Sequence, residues 1–151
     1  MGQALEEARL ASARGDVPVG ALVVCRGEVL GSGSNFKTCD PTAHAEILAI
    51  RMAAERRKHW NLCDCTLYVT LEPCPMCAGA CVNARLRRIV FGAKDPRAGA
   101  GGSLFDILRD SRLNHRCEVR RGVLAEECAR LLQEHFAKRR RRAVGGAGQG
   151  L

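Results

Sequence analysis

Strand-like and helix-like segments alternate along the chain, and this alternation predicts an α/β fold: a three-layer α/β/α sandwich around a central mixed five-stranded sheet. Two further observations narrow the class. The 151 residues suffice for one average domain, and neither a linker nor an internal repeat divides them. Hydrophobic residues make up 46% and charged residues 26%, a globular balance that excludes a largely disordered or collagen-like chain.

The first element is a short amphipathic helix over 1–14, with Leu5, Ala8 and Ala11 at helical spacing and Gly15 as its stop. Residues 17–25 are apolar and partly β-branched, Arg26-Gly27 suits a turn, and 28–34 contains Val29 and Leu30, so the two runs read as an antiparallel pair. A polar loop over 35–39 leads to Asp40-Pro41, which fit an N-cap and a first helical position. The helix is expected to continue over 44–57 with Ile47, Leu48 and Ile50 to bury, and Trp60 and Asn61 lie in its exit connection. A third strand, 66–70, runs through Leu71-Glu72-Pro73 into a helix beginning near Cys74, with Pro75 in its first turn. Residues 88–91 are short and apolar enough for a fourth strand. The glycine-rich stretch 92–102 is either a loop whose backbone approaches a ligand closely or a plain connection. A short helix around 104–108 and a last strand over 117–120 follow. The final helix, 124–138, carries Leu124, Cys128, Leu131, Leu132 and Phe136 on one face. Residues 143–151 are Gly-rich and expected to be disordered, which leaves a single domain over 1–142 with a basic end to its last helix.

Charge and cysteine usage restrict the function. Of the net charge of +8, the run Lys138-Arg139-Arg140-Arg141-Arg142 supplies +5 with no acid nearby, so the basicity is mostly a tail property. No apolar run approaches the roughly 20 residues that cross a bilayer, and the first residues, with Glu6, Glu7, Arg9 and Arg14, lack a signal peptide's apolar stretch. The expected location is the cytoplasm, away from membranes. The nine cysteines are an odd number without a secreted-scaffold rhythm, which favours reduced thiols and metal ligation over a disulfide framework.

The strongest chemical signal pairs His44-Ala45-Glu46 with Cys74-Pro75-Met76-Cys77 at the expected starts of two helices. Two cysteines three apart on a first turn point to one side, and a helix N-terminus favours thiolates, so Cys74 and Cys77 suit one Zn²⁺ at about 2.3 Å per sulfur. His44 is the third ligand, and the tetrahedral position left open for water marks a catalytic ion. Two thiolates and a neutral imidazole cancel the charge of Zn²⁺, so removing a proton from that water needs a base. Glu46 is the nearby carboxylate, able to take the proton and deliver it to a ring nitrogen and a leaving amine. In an ideal helix residues two apart point about 200° from one another, so His44 and Glu46 share a pocket only if its walls wrap the first turn. A lone Cys-x-x-Cys also serves structural zinc, redox chemistry or plain core, and Cys63-Asp64-Cys65 is a competing ligand source or a pair of buried structural thiols. Cys25, Cys81, Cys117 and Cys128 read as core, and Cys39 as exposed.

The segments Asp40-Pro41-Thr42-Ala43-His44-Ala45-Glu46-Ile47 and Thr66-Leu67-Tyr68-Val69-Thr70-Leu71-Glu72-Pro73-Cys74-Pro75-Met76-Cys77-Ala78-Gly79-Ala80 are similar to the zinc segments of the bacterial tRNA-specific adenosine deaminases, within the cytidine deaminase superfamily. Val17-Pro18-Val19-Gly20-Ala21, Val90-Phe91-Gly92-Ala93-Lys94-Asp95, Gly101-Gly102-Ser103-Leu104, Asn114-His115-Arg116 and Leu124-Ala125-Glu126-Glu127-Cys128 fall in the family's order, so the resemblance spans roughly 4–138. It implies a cytidine deaminase-like fold and one Zn²⁺ per chain on His44, Cys74 and Cys77, with Glu46 moving protons. It further implies that Asn35 and the Ala45 amide bond a flipped base, that Asp95 lies near the nucleotide sugar, and that Phe136 lies near RNA. The implied reaction is hydrolysis of adenosine to inosine at the wobble position of a tRNA anticodon stem-loop, by a homodimer. The plainer readings make Asn35 a turn residue, Asp95 a bend cap and Phe136 core. The sequence departs from the family at Cys39, before Asp40-Pro41, and at His135, where a second aromatic is usual. Two rival functions remain: a zinc deaminase of a free base or nucleoside such as guanine or cytosine, and an RNA-binding module with structural zinc.

Overall fold

The computed structural model describes residues 1–37 and 40–145, so Cys39 and the tail beyond 145 lie outside the described residues. In chain order the elements are α1 (Gly2–Ala13), β1 (Gly20–Cys25), β2 (Glu28–Ser34), α2 (Ala45–Arg57), β3 (Cys65–Leu71), α3 (Pro75–Asn83), β4 (Arg88–Ala93), a 3₁₀ turn (Ile107–Arg109), β5 (Glu118–Arg120) and α4 (Ala125–Gly145). The strands form one mixed sheet in the order β2-β1-β3-β4-β5. β1 is antiparallel to both β2 and β3, whereas β3, β4 and β5 run parallel. Helices α2 and α3 cover one face while α1 and α4 cover the other, giving the expected three layers. No described helix is long and apolar enough to cross a membrane.

Successive strand residues point to opposite faces, and the glycines show how tightly each face is packed. A Cβ on Gly20 would lie 2.0 Å from the Ala4 carbonyl of α1, and one on Gly33 would lie 2.3 Å from the Ala45 carbonyl of α2. Gly31 is equally closed, since a Cβ there would meet the Ala49 carbonyl at 2.2 Å. This close approach selects small residues on α2. Ala45, Ala49 and Ala53 are fully buried against the sheet, while Ile47, Leu48 and Ile50, expected in the core, are only half-buried.

The start of α2 also differs from expectation. Asp40 does not cap the helix: its carboxylate accepts the Thr42 amide at 2.8 Å and the Thr42 hydroxyl at 2.6 Å, closing a local turn. The helix begins at Ala45, and His44 is the N-cap residue with extended backbone (φ −74°, ψ 151°). At the other end of the chain, α4 continues to Gly145, beyond the expected stop at Lys138. Leu124 precedes that helix at φ 53° and is exposed, so it leaves the stripe on which Cys128 is buried and Leu131 and Leu132 are half-buried. The short helix expected around 104–108 is displaced to the 3₁₀ turn, leaving Leu104 and Phe105 exposed.

Candidate metal centre and active site

Two helix N-termini converge on one point. His44 caps α2 and Cys74 caps α3 in the same extended conformation, Pro75 occupies the first turn of α3, and Cys77 follows within that turn. His44 Nδ1 lies 3.7 Å from Cys74 Sγ and 3.5 Å from Cys77 Sγ. A tetrahedral Zn²⁺ about 2.3 Å from sulfur and about 2.0 Å from nitrogen separates such donors by about 3.5 Å, so the three side chains already stand at ligand spacing. Hydrogen bonding from Cys77, opposed by burial, holds the Cys74 thiol down at about 4. The same bond and burial push Cys77 up, so the two sulfurs titrate as a pair.

Because His44 stands outside the helix, its side chain is not bound by helical spacing, and Glu46 on the first turn of α2 reaches the same cavity. Glu46 is 4% exposed, and its Oε2 has no hydrogen-bond partner among the described residues. Burial pushes its carboxyl up to about 7, with the neighbouring His44 working in the opposite direction. An unpaired carboxylate oxygen beside three soft donors fits an ion whose fourth position holds water, because that water supplies the missing donor.

The cavity has a volume of about 210 Å³, and its walls include Asn35, Lys37, His44, Glu46, Cys74 and Asp95. Asn35 is buried and its Oδ1 accepts the Ala45 amide at 2.9 Å. That contact occupies the amide assigned by resemblance to the base, so Ala45 reaches a substrate only by exchanging its partner. With one lone pair of Oδ1 engaged, Asn35 offers the cavity its Nδ2 donors and the remaining lone pair. Asp95 caps a bend, accepting the amides of Arg97 at 3.0 Å and Ala98 at 3.2 Å, and it also lines the cavity. An adjoining groove of about 530 Å³ shares Val17, Leu71 and Asp95 with the cavity and adds Lys94, Arg97, Arg140 and Phe136. Phe136 is 42% exposed there, whereas its neighbour His135 is 7% exposed. Cys63, grouped with Cys65 as a buried thiol, is exposed and outside the His44 cluster.

One residue of the site had no role assigned from sequence. Glu72, 2% exposed between β3 and Cys74, accepts the amides of Asp95, Gly101 and Ser103, each at 3.0 Å, and the Ser103 hydroxyl. Burial raises its carboxyl, but the bonds from Ser103, Asp95 and Gly101 outweigh it and hold the group below the ordinary range. The glycine-rich loop therefore wraps an internal carboxylate, and a Cβ on Gly99 would sit 2.4 Å from Glu72 Cδ. Replacing Glu72 with Ala strands three inward-facing amides and is expected to cost at least about 2 kcal/mol, readable by urea unfolding.

The fold and this donor set define a deaminase: residues 1–140 match the MafB19-like deaminase family, and the chain belongs to it. Within that class it is 50% identical over 143 residues to a tRNA-specific adenosine deaminase of Haemophilus influenzae, covering 93% of this chain and 83% of the relative. It is 44% identical over 144 residues to the tRNA-specific adenosine deaminase of Bacillus subtilis, covering 94% of this chain and 89% of the relative. A solved structure from studies of A-to-I editing by tRNA:A34 deaminases superposes with a TM-score of 0.83 at 44% identity, covering 87% of this chain and 97% of the other. A guanine deaminase of Nitrosomonas europaea superposes with a TM-score of 0.77 at 28% identity, covering 90% and 82%.

Proposed function

We propose that the chain is a zinc-dependent tRNA deaminase that hydrolyses adenosine to inosine at the anticodon wobble position. The observation that carries this reading is the His44–Cys74–Cys77 cluster against the unpaired Glu46 oxygen, at the inner end of a groove lined by cations and an exposed Phe136. His44, Cys74 and Cys77 would hold the catalytic Zn²⁺, which when bound would make a water more acidic for attack on adenine carbon six. Glu46 would accept one proton from that water and give it to the ring nitrogen, and would then carry the remaining hydroxyl proton to the exocyclic amine, which leaves as ammonia when its C–N bond breaks. Asn35 positions the flipped base from the cavity wall, and the Ala45 amide joins it after releasing Asn35 Oδ1. Asp95, held by Glu72 through its own amide, faces the sugar, and Phe136 offers a stacking face to an unpaired base. The working protein on this reading is one domain over 1–142 in a cytoplasmic homodimer. Incubation with total bacterial tRNA followed by sequencing for inosine tests it. Release of ammonia from guanine, cytosine or free adenosine without inosine in tRNA would replace the substrate and keep the chemistry.

The basic end of α4 gives a second measurement. Removing residues 138–151 is expected to weaken tRNA binding while single-turnover deamination at saturating RNA stays nearly constant, since Glu46 and the metal ligands remain. At about 0.7 per single-stranded phosphate contact, the log-log salt slope should fall in magnitude by up to about 3.5 for five cations. Equal slopes for intact and truncated protein would show that these cations remain solvated.

A further inference from the structure

A second group of soft donors lies at the opposite end of β3. Cys25 ends β1 and Cys65 begins β3, and the two face each other directly in the antiparallel ladder. Asp64 joins them: its Oδ2 lies 3.2 Å from Cys25 Sγ and its Oδ1 3.6 Å from Cys65 Sγ. The three donor atoms all lie within 4.8 Å of one another. Seven residues of β3 at about 3.3 Å each separate this cluster from the catalytic end of the strand by roughly 20 Å.

We propose that Cys25, Asp64 and Cys65 bind a structural, thiophilic divalent cation, with Zn²⁺ the natural occupant. An ion about 2.3 Å from sulfur and about 2.0 Å from a carboxylate oxygen separates those donors by about 3.5 Å, which the two Asp64 contacts bracket. His44 Nδ1 meets its two sulfurs at 3.7 and 3.5 Å, and here each sulfur meets a different Asp64 oxygen at 3.2 and 3.6 Å, so both groups stand within a few tenths of an ångström of ligand spacing. Two thiolates and a carboxylate leave one negative charge on a divalent ion. Arg57, at the end of α2, is placed to cancel it: its guanidinium bonds both Asp64 oxygens and donates to Cys65 Sγ at 3.3 Å. Such a donor to a ligand sulfur is the outer support that metal thiolates commonly have. Without an ion, Asp64 pairs with Arg57 and with Arg26 at 3.8 Å and accepts hydrogen bonds from both thiols, so binding a cation would exchange the two thiol protons for the metal. Cys25 and Cys65 are free thiols in this structure, so the end of the ladder presents two separate sulfur donors. The bound ion would clip the end of the β1–β3 ladder to α2 through Arg57. Half-buried Cys25 and Asp64 leave a side open to water as the fourth ligand.

The test uses the full chain, stripped with chelator, reloaded with Zn²⁺, freed of excess metal and measured by elemental analysis. Two equivalents per chain are expected. Cys25→Ser should retain one with deaminase activity intact, and Cys77→Ser should retain one with activity lost. Titrating Cys77→Ser with Cd²⁺ should raise a thiolate-to-metal ultraviolet band that disappears when Cys25→Ser is added. If Cys25→Ser fails to fold, Asp64→Asn serves instead, with metal affinity at this site expected to fall at least about tenfold on loss of a charged ligand. One equivalent in the reloaded wild type, an unchanged count in Cys25→Ser, or a Cys25–Cys65 disulfide found by thiol counting would overturn the proposal. None of these outcomes bears on the catalytic reading, which activity alone decides.

Discussion

Cys77→Ser is expected to empty the catalytic metal site and reduce deamination to background. Cys77 is fully buried on the first turn of α3, and Ser supplies a hydroxyl of much lower metal affinity in nearly the same volume. The site has no spare protein ligand: His44, Cys74 and Cys77 are the donors that meet at this point among the described residues. The chain should still fold, because Cys77 contributes little apolar packing beyond one sulfur. Circular dichroism of the variant should match the wild type while its zinc content falls by one equivalent. Cys63→Ala is the control. Its side chain is exposed and outside both donor clusters, so metal content and turnover should stay at wild-type values. Metal loss from the control, or an active and fully loaded Cys77→Ser, would mean that different cysteines hold the catalytic ion.

The parts of this site that sequence made legible are those whose residue type and chemistry coincide. Two thiols three apart after a proline have few local uses, and the alternation of strands and helices places them at a helix start. Two other features were hidden by local chemistry that serves different structures equally well. Asp-Pro before an apolar run is both a helix start and an ordinary turn. Here Asp40 closes the turn and the helix waits until Ala45, which frees His44 from helical spacing and lets it meet Glu46. On α2, periodicity reveals an apolar stripe but not which face the sheet accepts. Gly31 and Gly33 settle that by admitting only the alanine face. Glu72 is hidden in the sequence for a related reason: one carboxylate between a strand and a proline has no periodic signature, and its meaning lies in amides 23 to 31 residues later that fold back onto it. The available clue was the glycine-rich stretch, which needs something inside it to wrap.

Glu46→Gln is expected to keep the metal and tRNA affinity while turnover falls by about 10² or more, since an amide still donates hydrogen bonds but accepts no proton from water. The same change should stabilise the metal-free protein in a pH-dependent way. Burial raises the folded-state carboxyl from about 4.5 to about 7, so the unfolded chain ionises first as pH rises. Below about pH 4.5 the carboxyl is protonated in both states and costs nothing. Between 4.5 and 7 the unfolded state alone gains a charge, and the wild type loses stability until the folded carboxyl ionises too. At about 1.4 kcal/mol per pH unit the loss reaches about 3 kcal/mol above pH 7, a cost the glutamine variant does not carry. Urea unfolding of both metal-free proteins at pH 4 and pH 8 measures this, with the curves close together at the lower pH and the variant more stable at the higher. Activity supplies the matching observation. In the metal-loaded enzyme the ion's charge lowers the Glu46 carboxyl relative to the metal-free protein, so wild-type turnover should decline on the acid side only below the pH range of the stability effect, and the residual turnover of Glu46→Gln should lack that limb. A variant with near-normal rates, or one whose stability advantage is the same at both pH values, would remove Glu46 from the role of the buried base.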